Sequence, residues 1–470
     1  MTAILGGGIG GLSAAYYCIE NPVLGPIVLY EASKRFGGWI KSIKLPNGAI
    51  FEKGPRTIRP AGIAGENTLQ LANNLNLNDK IIHIDCRHPA ARNRLIYVNN
   101  KLHTLPNSLT GLFKKQEPFN RRLISIVWND LAAGKTSKED ESIYSFVERR
   151  LGKDIADYLI SPMICGICAG DAKKISVNFL LKSAFELEQK YGSLTKGMVM
   201  EFMKRKKVKK NKENILTILA KRAKEEKWSV WGLKDGLEVL PRELKNYLDS
   251  KSNVKLNLDT KCEQIIFKSN QVELLINGRT EKFAKVISSL STKSLAPLLH
   301  KQHPQLSREL AAIPLSTVAV VNFQYPGNLL PMEAFGFLVP PNQNLPILGV
   351  IFDSCVFKNS DTVLTVIMGG AWFDKYFSKN NSEEYLLSVA MNQIKNILNI
   401  KEKPIEYNVA ILNDCIPQYI VGHRQRIQRI ENYISAHRIP LYLCGASYYG
   451  VGLNDVILSA KQAISHCLKL

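Results

Sequence analysis

The chain is 470 residues long and 45% hydrophobic, enough for a large core and, by length, roughly three domains, which excludes a disordered polymer. Its 62 Lys and Arg against 41 Asp and Glu leave a net charge of +21, which points to an anionic partner: nucleic acid, an acidic membrane surface or an anionic substrate. The 9 cysteines, odd in number and scattered, argue against a disulfide framework. No run reaches the ~18 to 20 apolar residues of a spanning helix, so membrane contact would be monotopic. A strand opening at residue 2 leaves no room for a signal or transit peptide, and any organelle address is expected to be internal.

In chain order, a short apolar strand, Ala3 to Leu5, runs into Gly6, Gly7, Gly8, Gly10 and Gly11, and a helix follows with Leu12, Ala15, Tyr16 and Ile19 on one face. Gly6, Gly8 and Gly11 occupy the dinucleotide positions: a sharp turn, room for a pyrophosphate, and close packing of helix on sheet. The helix N-terminus would offer N–H groups and positive partial charge to phosphates. A second strand, Ile27 to Tyr30, ends in Glu31, about 20 residues after Gly11, where a carboxylate accepts from ribose hydroxyls. Arg35, Gly37, Gly38 and Trp39 come next, and the Glu-x-x-x-Arg-x-Gly-Gly spacing favours FAD over NAD. A hairpin turns at Pro46, Asn47 and Gly48, and FEKGPRTIRP follows with Arg56 and Arg59.

The segments GGGIGGL, ASKRFGGWIKS, NGAIFEKGPRTIRP, HPAARNRLIYV, IPQYIVGH and GASYYGVGLND together resemble the animal protoporphyrinogen oxidase family, part of the monoamine-oxidase-like group of FAD enzymes, over nearly the whole chain. The resemblance implies an α/β fold in three parts. A Rossmann-like FAD-binding domain, discontinuous in sequence, would comprise 1–85, 228–294 and 406–470; a mixed-sheet substrate domain, 86–107 and 295–405; and a helical membrane-associated insert, 108–227. Non-covalent FAD is expected on Gly6, Gly7, Gly8, Ile9, Gly10, Gly11, Glu31, Ala32, Arg35, Gly38 and Trp39. Gly54, Pro55, Arg56, Thr57, Cys262, Val451, Gly452 and Leu453 complete that set, Cys262 standing on the adenine side where Val is commoner.

Further along, a helix is expected over Asn67 to Leu77 and a strand over Ile81 to Ile84. By resemblance Arg94 would pair with a substrate propionate, a bidentate, charge-assisted contact. From Ser108 to Lys227 the pattern is helical, with Ile143, Phe146, Val147 and Leu151 on one face and Ser176 as a cap for a helix carrying Phe179, Leu180, Ala184 and Leu187. Cys165 and Cys168 form a single CxxC, read as buried thiols in a Gly-rich bend rather than a metal site. The family's Gly-rich porphyrin segment falls on 166–171, with Gly166 as the close backbone approach and Cys165 where relatives can carry Arg. The basic run Lys204 to Lys212 has open readings: a solvated loop, an anionic lipid surface, nuclear targeting or nucleic acid, the last weakened by the absence of interleaved aromatics.

Strands are expected at Trp228 to Leu233, Val254 to Leu258, Cys262 to Phe267, Val272 to Ile276 and Val286 to Ser289, with Asp235 replacing a family glycine. Thr317 to Tyr325, Leu348 to Phe352 and Thr362 to Met368 read as strands of a second sheet. Phe335, Leu338 and Ile367 match the family positions that sandwich the tetrapyrrole, Ile367 in place of Met. A strand at Leu441 to Cys444, a glycine-punctuated turn and a helix from about Asn454 close the chain, the helix aimed at the flavin pyrimidine. Arg424 replaces a flavin-side Trp of some relatives.

The expected activity is oxidation of protoporphyrinogen IX to protoporphyrin IX through flavin N5, with O2 as acceptor and no protein acid or base. Neither Asp171 nor His423 has a spacing that marks one. The alternatives are another FAD amine or polyene oxidase on the same scaffold, or a non-enzymatic FAD-binding membrane scaffold. The resemblance further implies a peripheral enzyme of the mitochondrial inner membrane on its intermembrane-space side. Homodimer formation and product hand-off to ferrochelatase are options it leaves open; nucleic acid is not an expected partner.

Overall fold

The structure is a computed structural model that describes residues 1–107, 110–207, 217–269, 271–357 and 359–469. It divides into two compact units, one built from Met1–Asp85, Leu216–Leu315 and Gln425–Leu470, the other from Cys86–Ile215 and Ser316–Arg424.

In the first unit, Thr2–Leu5 and Ile27–Tyr30 are buried at every position, the mark of parallel strands covered on both faces. They form the middle of a five-stranded sheet ordered Leu441–Leu443, Lys285–Ser288, Thr2–Leu5, Ile27–Tyr30, Val254–Asn257, with every pairing parallel. Alternation along the strands sends Ile4, Leu29 and Ile287 to one face, under Leu12, Leu244 and Ile457. Ala3, Leu5, Val28 and Val286 go to the other, under Ile265, Leu274 and Leu306. The helices Ile9–Ile19 and Leu453–Cys467 lie side by side on the first face, where a Cβ on Gly10 would stand 3.3 Å from Val456 Cγ1. Residues from the two ends of the chain thus meet in one layer.

The second unit is built on a seven-stranded mixed sheet ordered Glu406–Pro417, Leu315–Tyr325, Thr362–Gly370, Ile347–Ile351, Gly336–Leu338, Leu95–Val98, Lys101–Thr104. One face packs Phe337, Val350, Val366 and Val321 against the helix Glu383–Leu398 through Leu386, Ala390 and Ile394. The other face meets the helix Ser161–Cys168, with Cys165, Ala169, Val318 and Val320 in one cluster.

The described residues from Ser125 to Lys207 carry helices and no named strand, in line with the expected helical segment. Ser142 and Ser176 cap their helices by accepting from Ser145 N and Asn178 N. Arg150, fully buried, donates to Asp130, Glu188 and the carbonyls of Ala133, Gly134 and Gly192. Asp130 in turn accepts from Ser193 Oγ and from the backbone N–H of Leu194 and Thr195, fixing the start of the helix Leu194–Lys207.

Several sequence expectations are corrected. Cys165 and Cys168 are buried, but on a helix rather than in a bend; the turn comes at Ala169, in the left-handed region. The helix expected from Ser176 breaks at Leu181 into Val177–Leu180 and Lys182–Tyr191. The helix expected over 67–77 runs Gly62–Asn74. Residues 295–315 group with the nucleotide-type unit, since Leu295, Leu299, Leu306 and Leu310 pack under its sheet. Residues 406–424 group with the mixed sheet, because Glu406–Pro417 is one of its edge strands. The two compact units part at 315/316 and 424/425, where the expected divisions are 294/295 and 405/406. Of the run Lys204 to Lys212, residues 208–212 lie outside the described residues.

Candidate functional site

The glycine turn of the first unit is built by contacts that no side chain would permit. Gly6 has φ +98°, and a Cβ on Gly11 would fall 1.8 Å from the Gly6 carbonyl oxygen, so helix and turn are in backbone contact. Gly8 is the N-cap of the helix Ile9–Ile19, which has no capping side chain and no acidic residue in its first turn. Gly37 N–H donates to Gly7 O at 2.9 Å, and a Cβ on Gly38, whose φ is +57°, would stand 3.1 Å from Gly8 Cα. Two glycine backbones thus face each other with no side chain between them.

Arg35 holds the second turn. Its guanidinium donates to the carbonyls of Phe36, Gly38 and Ile40 and reaches Glu238 Oε1 at 3.4 Å. Arg35 is therefore a scaffold for the Gly37–Gly38 turn. The Glu31 carboxylate accepts from Gly7 N at 2.5 Å and Ser33 N at 2.8 Å, which fixes it beside the glycine turn while each oxygen keeps lone-pair capacity. Thr260 N donates to Glu31 O, so the segment leading to buried Cys262 passes the same strand end, and burial pushes that thiol up to about 12. Ala32 and Trp39 are exposed.

The remaining members of this group are drawn to the same unit by backbone ties. A Cβ on Gly54 would lie 2.2 Å from Trp39 O; Pro55 and Thr57 flank buried Arg56, and Ile58 pairs in both directions with Trp231. Asn454 Nδ2 donates to Arg59 O at 2.8 Å, which joins the N-terminus of Leu453–Cys467 to the 54–59 segment. Gly452 is that helix's N-cap, with Val451 and Leu453 on either side of it. Cys444 is wholly buried and its thiol is pushed up to about 12 by burial.

The second unit holds the other group. Leu338 pairs with Gly349, Gly349 with Ile367, and Ile367 with Val320, so these four form one row across adjacent strands and share a face. A Cβ on Gly349 would stand 2.5 Å from Phe337 O and 3.1 Å from Leu338 Cδ2, so the strand carrying Leu338 closes directly on the bare glycine. The helix Ser161–Cys168 lies over the row: a Cβ on Gly166 would stand 2.9 Å from Leu338 Cδ2. Arg94 stacks on Phe335, its Cζ 4.7 Å from the ring centroid, and Phe335 N donates to Asn93 O. Arg94, Gly166, Phe335, Leu338 and Ile367 thus all lie in one unit: Gly166, Leu338 and Ile367 about one helix–sheet contact, Arg94 and Phe335 beside the edge of the strand that carries Leu338.

Sequence reasoning missed Gly349, although an isolated glycine inside a strand pattern marks close approach. It also left Gln418 without a role. Among the described residues no group of His, Cys, Asp and Glu could hold a metal ion.

Comparison with known proteins fits this arrangement. Residues 9–466 match the family of flavin containing amine oxidoreductases. Protoporphyrinogen oxidase from Homo sapiens is 36% identical over 467 residues, covering 98% of this chain and 96% of the human one. That from Schizosaccharomyces pombe is 32% identical, covering 98% and 97%. Coproporphyrinogen III oxidase from Bacillus subtilis is 28% identical, covering 99% and 97%. Among solved structures, a protein from Exiguobacterium sp. 255-15 superposes with TM-score 0.79 at 24% identity, covering 100% and 99%, and a UDP-galactopyranose mutase with TM-score 0.70 at 15%, covering 100% and 93%; these show the fold. The chain belongs to the flavin containing amine oxidoreductase family and is related over almost its whole length to protoporphyrinogen oxidases.

Proposed function

We propose that the chain oxidises protoporphyrinogen IX to protoporphyrin IX with non-covalent FAD, reducing O2 to H2O2. The carrying observation is the near full-length relation to curated protoporphyrinogen oxidases. The first unit fits FAD: the bare Gly8–Gly38 approach suits a pyrophosphate, Glu31 is fixed beside it for ribose hydroxyls, and the uncapped helix N-terminus at Gly8 favours an anion. Gly452 and Leu453 open a second helix that would face the flavin pyrimidine. When bound, the flavin supplies the two-electron acceptor, and the six-electron oxidation needs three rounds. The protein's part is orientation: Arg94, pre-stacked on Phe335, presents a fork to a propionate, while Leu338, Ile367 and the bare Gly166 backbone offer a flat apolar wall to a macrocycle. No protein acid or base is assigned.

Anaerobic addition of protoporphyrinogen IX should bleach the visible flavin bands, and air should restore them with porphyrin fluorescence and H2O2. A protein that binds no FAD, or flavin that stays oxidised, overturns the reading; preferential bleaching by coproporphyrinogen III reassigns the substrate.

The same reading places the enzyme on the mitochondrial inner membrane, at its intermembrane-space side. Support comes from the helix Leu194–Lys207, which exposes Met198, Val199, Phe202 and Met203 ahead of the basic run. No helix among the described residues is long and apolar enough to cross a membrane. Binding to anionic vesicles should fall with salt and with neutralisation of Lys204 to Lys212; equal binding to neutral vesicles counts against it.

A further inference from the structure

Residues 418–422, inside the IPQYIVGH segment, hold the element that carries Gly166. Gln418 is buried, and its Nε2 lies 2.9 Å from Cys168 O, 3.0 Å from Ser316 Oγ and 3.1 Å from Ile416 O, so two hydrogens serve three acceptors. Cys168 O is a carbonyl of the last turn of Ser161–Cys168, one of the groups a helix end leaves without an intrahelical partner. The next carbonyl, Ala169 O, accepts from Ala371 N at 2.8 Å. Downstream the same segment continues the hold: Ser176 N donates to Tyr419 O, Val421 N to Lys174 O, and Gly422 N to Asp140 Oδ2. The chain from 168 to 176 is therefore strapped to the end of the strand Glu406–Pro417 at consecutive points.

The geometry points to Gln418 as a positioning residue for the substrate: its amide seats the C-terminal turn of Ser161–Cys168, and so fixes the separation between Gly166 and Leu338. Gly166 has 2.9 Å between a notional Cβ and Leu338 Cδ2, so a small shift of the helix changes the width and flatness of the wall offered to a macrocycle. Gln418 acts through the helix and touches no reacting atom. The inference rests on the proposed oxidase reading for the identity of the substrate, while the strap itself does not.

The test uses the flavin-loaded full chain. In Gln418→Leu, hydrogen exchange at the amides of residues 169–176 should accelerate, flavin content should match the parent, and KM for protoporphyrinogen should rise about fivefold or more with kcat within about twofold. Gly170→Ala provides an independent route, because its Cβ would stand 2.6 Å from Gln418 Oε1 and displace the amide without removing it; it should reproduce the same split, and it carries the test if Gln418→Leu does not fold. Unchanged exchange overturns the strap. Faster exchange with unchanged KM, or a fall in kcat at constant KM, overturns the positioning role. A parent that turns over no porphyrinogen while the variants still exchange faster overturns the oxidase reading and the substrate role with it, leaving the strap intact.

Discussion

At the scale of single residues, the two groups respond to substitution for different physical reasons. Gly38 combines φ +57° with a 3.1 Å approach of its notional Cβ to Gly8 Cα. Alanine there costs about 1 to 2 kcal/mol of left-handed strain and wedges the two bare backbones apart. Gly38→Ala should therefore fold but purify with depleted flavin, its affinity down about tenfold or more; full flavin occupancy in the variant would remove Gly38 from the cofactor set. Arg94 is a different case, since its contact is with Phe335 in the other unit. Arg94→Ala should keep its flavin and raise KM about tenfold, the loss of one charge-assisted pair, and Arg94→Lys should recover only part because an ammonium is not a planar fork. Kinetics unchanged in both variants would remove Arg94 from the substrate set.

At the scale of elements, the helical part of the second unit depends on a buried charge cluster. Burial by itself would raise the Asp130 and Glu188 carboxyls. Hydrogen bonds from Ser193, Thr195 and Leu194 to Asp130, and from Arg149 and Arg150 to Glu188, outweigh it and hold both below the usual carboxylate range. Both groups have folded values below their unfolded ones, so their stabilisation is present above the ordinary carboxylate pKa of about 4 and is lost as pH falls below it. Thermal unfolding followed from pH 6 down to about pH 3 should show a falling Tm, flattened in Asp130→Asn. Arg150→Met, which removes the guanidinium shared by Asp130 and Glu188 while Arg149 and the Ser193–Thr195 donors remain, should cost about 3 kcal/mol at neutral pH. A Tm independent of pH would show that the two carboxyls bind protons alike in the folded and unfolded chain, so that the cluster adds no pH-linked stability. Elements of this kind were legible from sequence where their signal is local: Ile27–Tyr30, Cys262–Phe267 and Val272–Ile276 fall where apolar strand patterning puts them. Sheet membership was not legible, because the edge strand Glu406–Pro417 is half exposed and its partner, Leu315–Tyr325, lies far off in sequence. The glycine turn and its carboxylate were readable because spacing alone encodes them. The Leu338–Gly349–Ile367 row was not, since it is a register across three strands and only the resemblance singled out two of its members.

At the scale of the whole molecule, a net charge of +21 acts on every anion that approaches, and protoporphyrinogen brings two propionates. Long-range attraction of this kind raises the encounter rate and is screened once the Debye length shrinks below the distances involved, about 10 Å at 0.1 M salt and 3 Å at 1 M. It differs from the proposed Arg94–propionate contact, which would be short, partly desolvated by Phe335 and screened much less. If the global field steers substrate, kcat/KM should fall steadily as ionic strength rises from about 20 to about 500 mM, while kcat holds constant. The slope should survive in Arg94→Ala, on a lower absolute line, because one charge among 62 basic residues barely alters the field. Two results would separate the alternatives. A slope abolished by Arg94→Ala would place the whole electrostatic effect at that one contact. A flat profile in the parent would assign the positive excess to a surface that binds something other than substrate, for which the anionic vesicle measurement is the direct check.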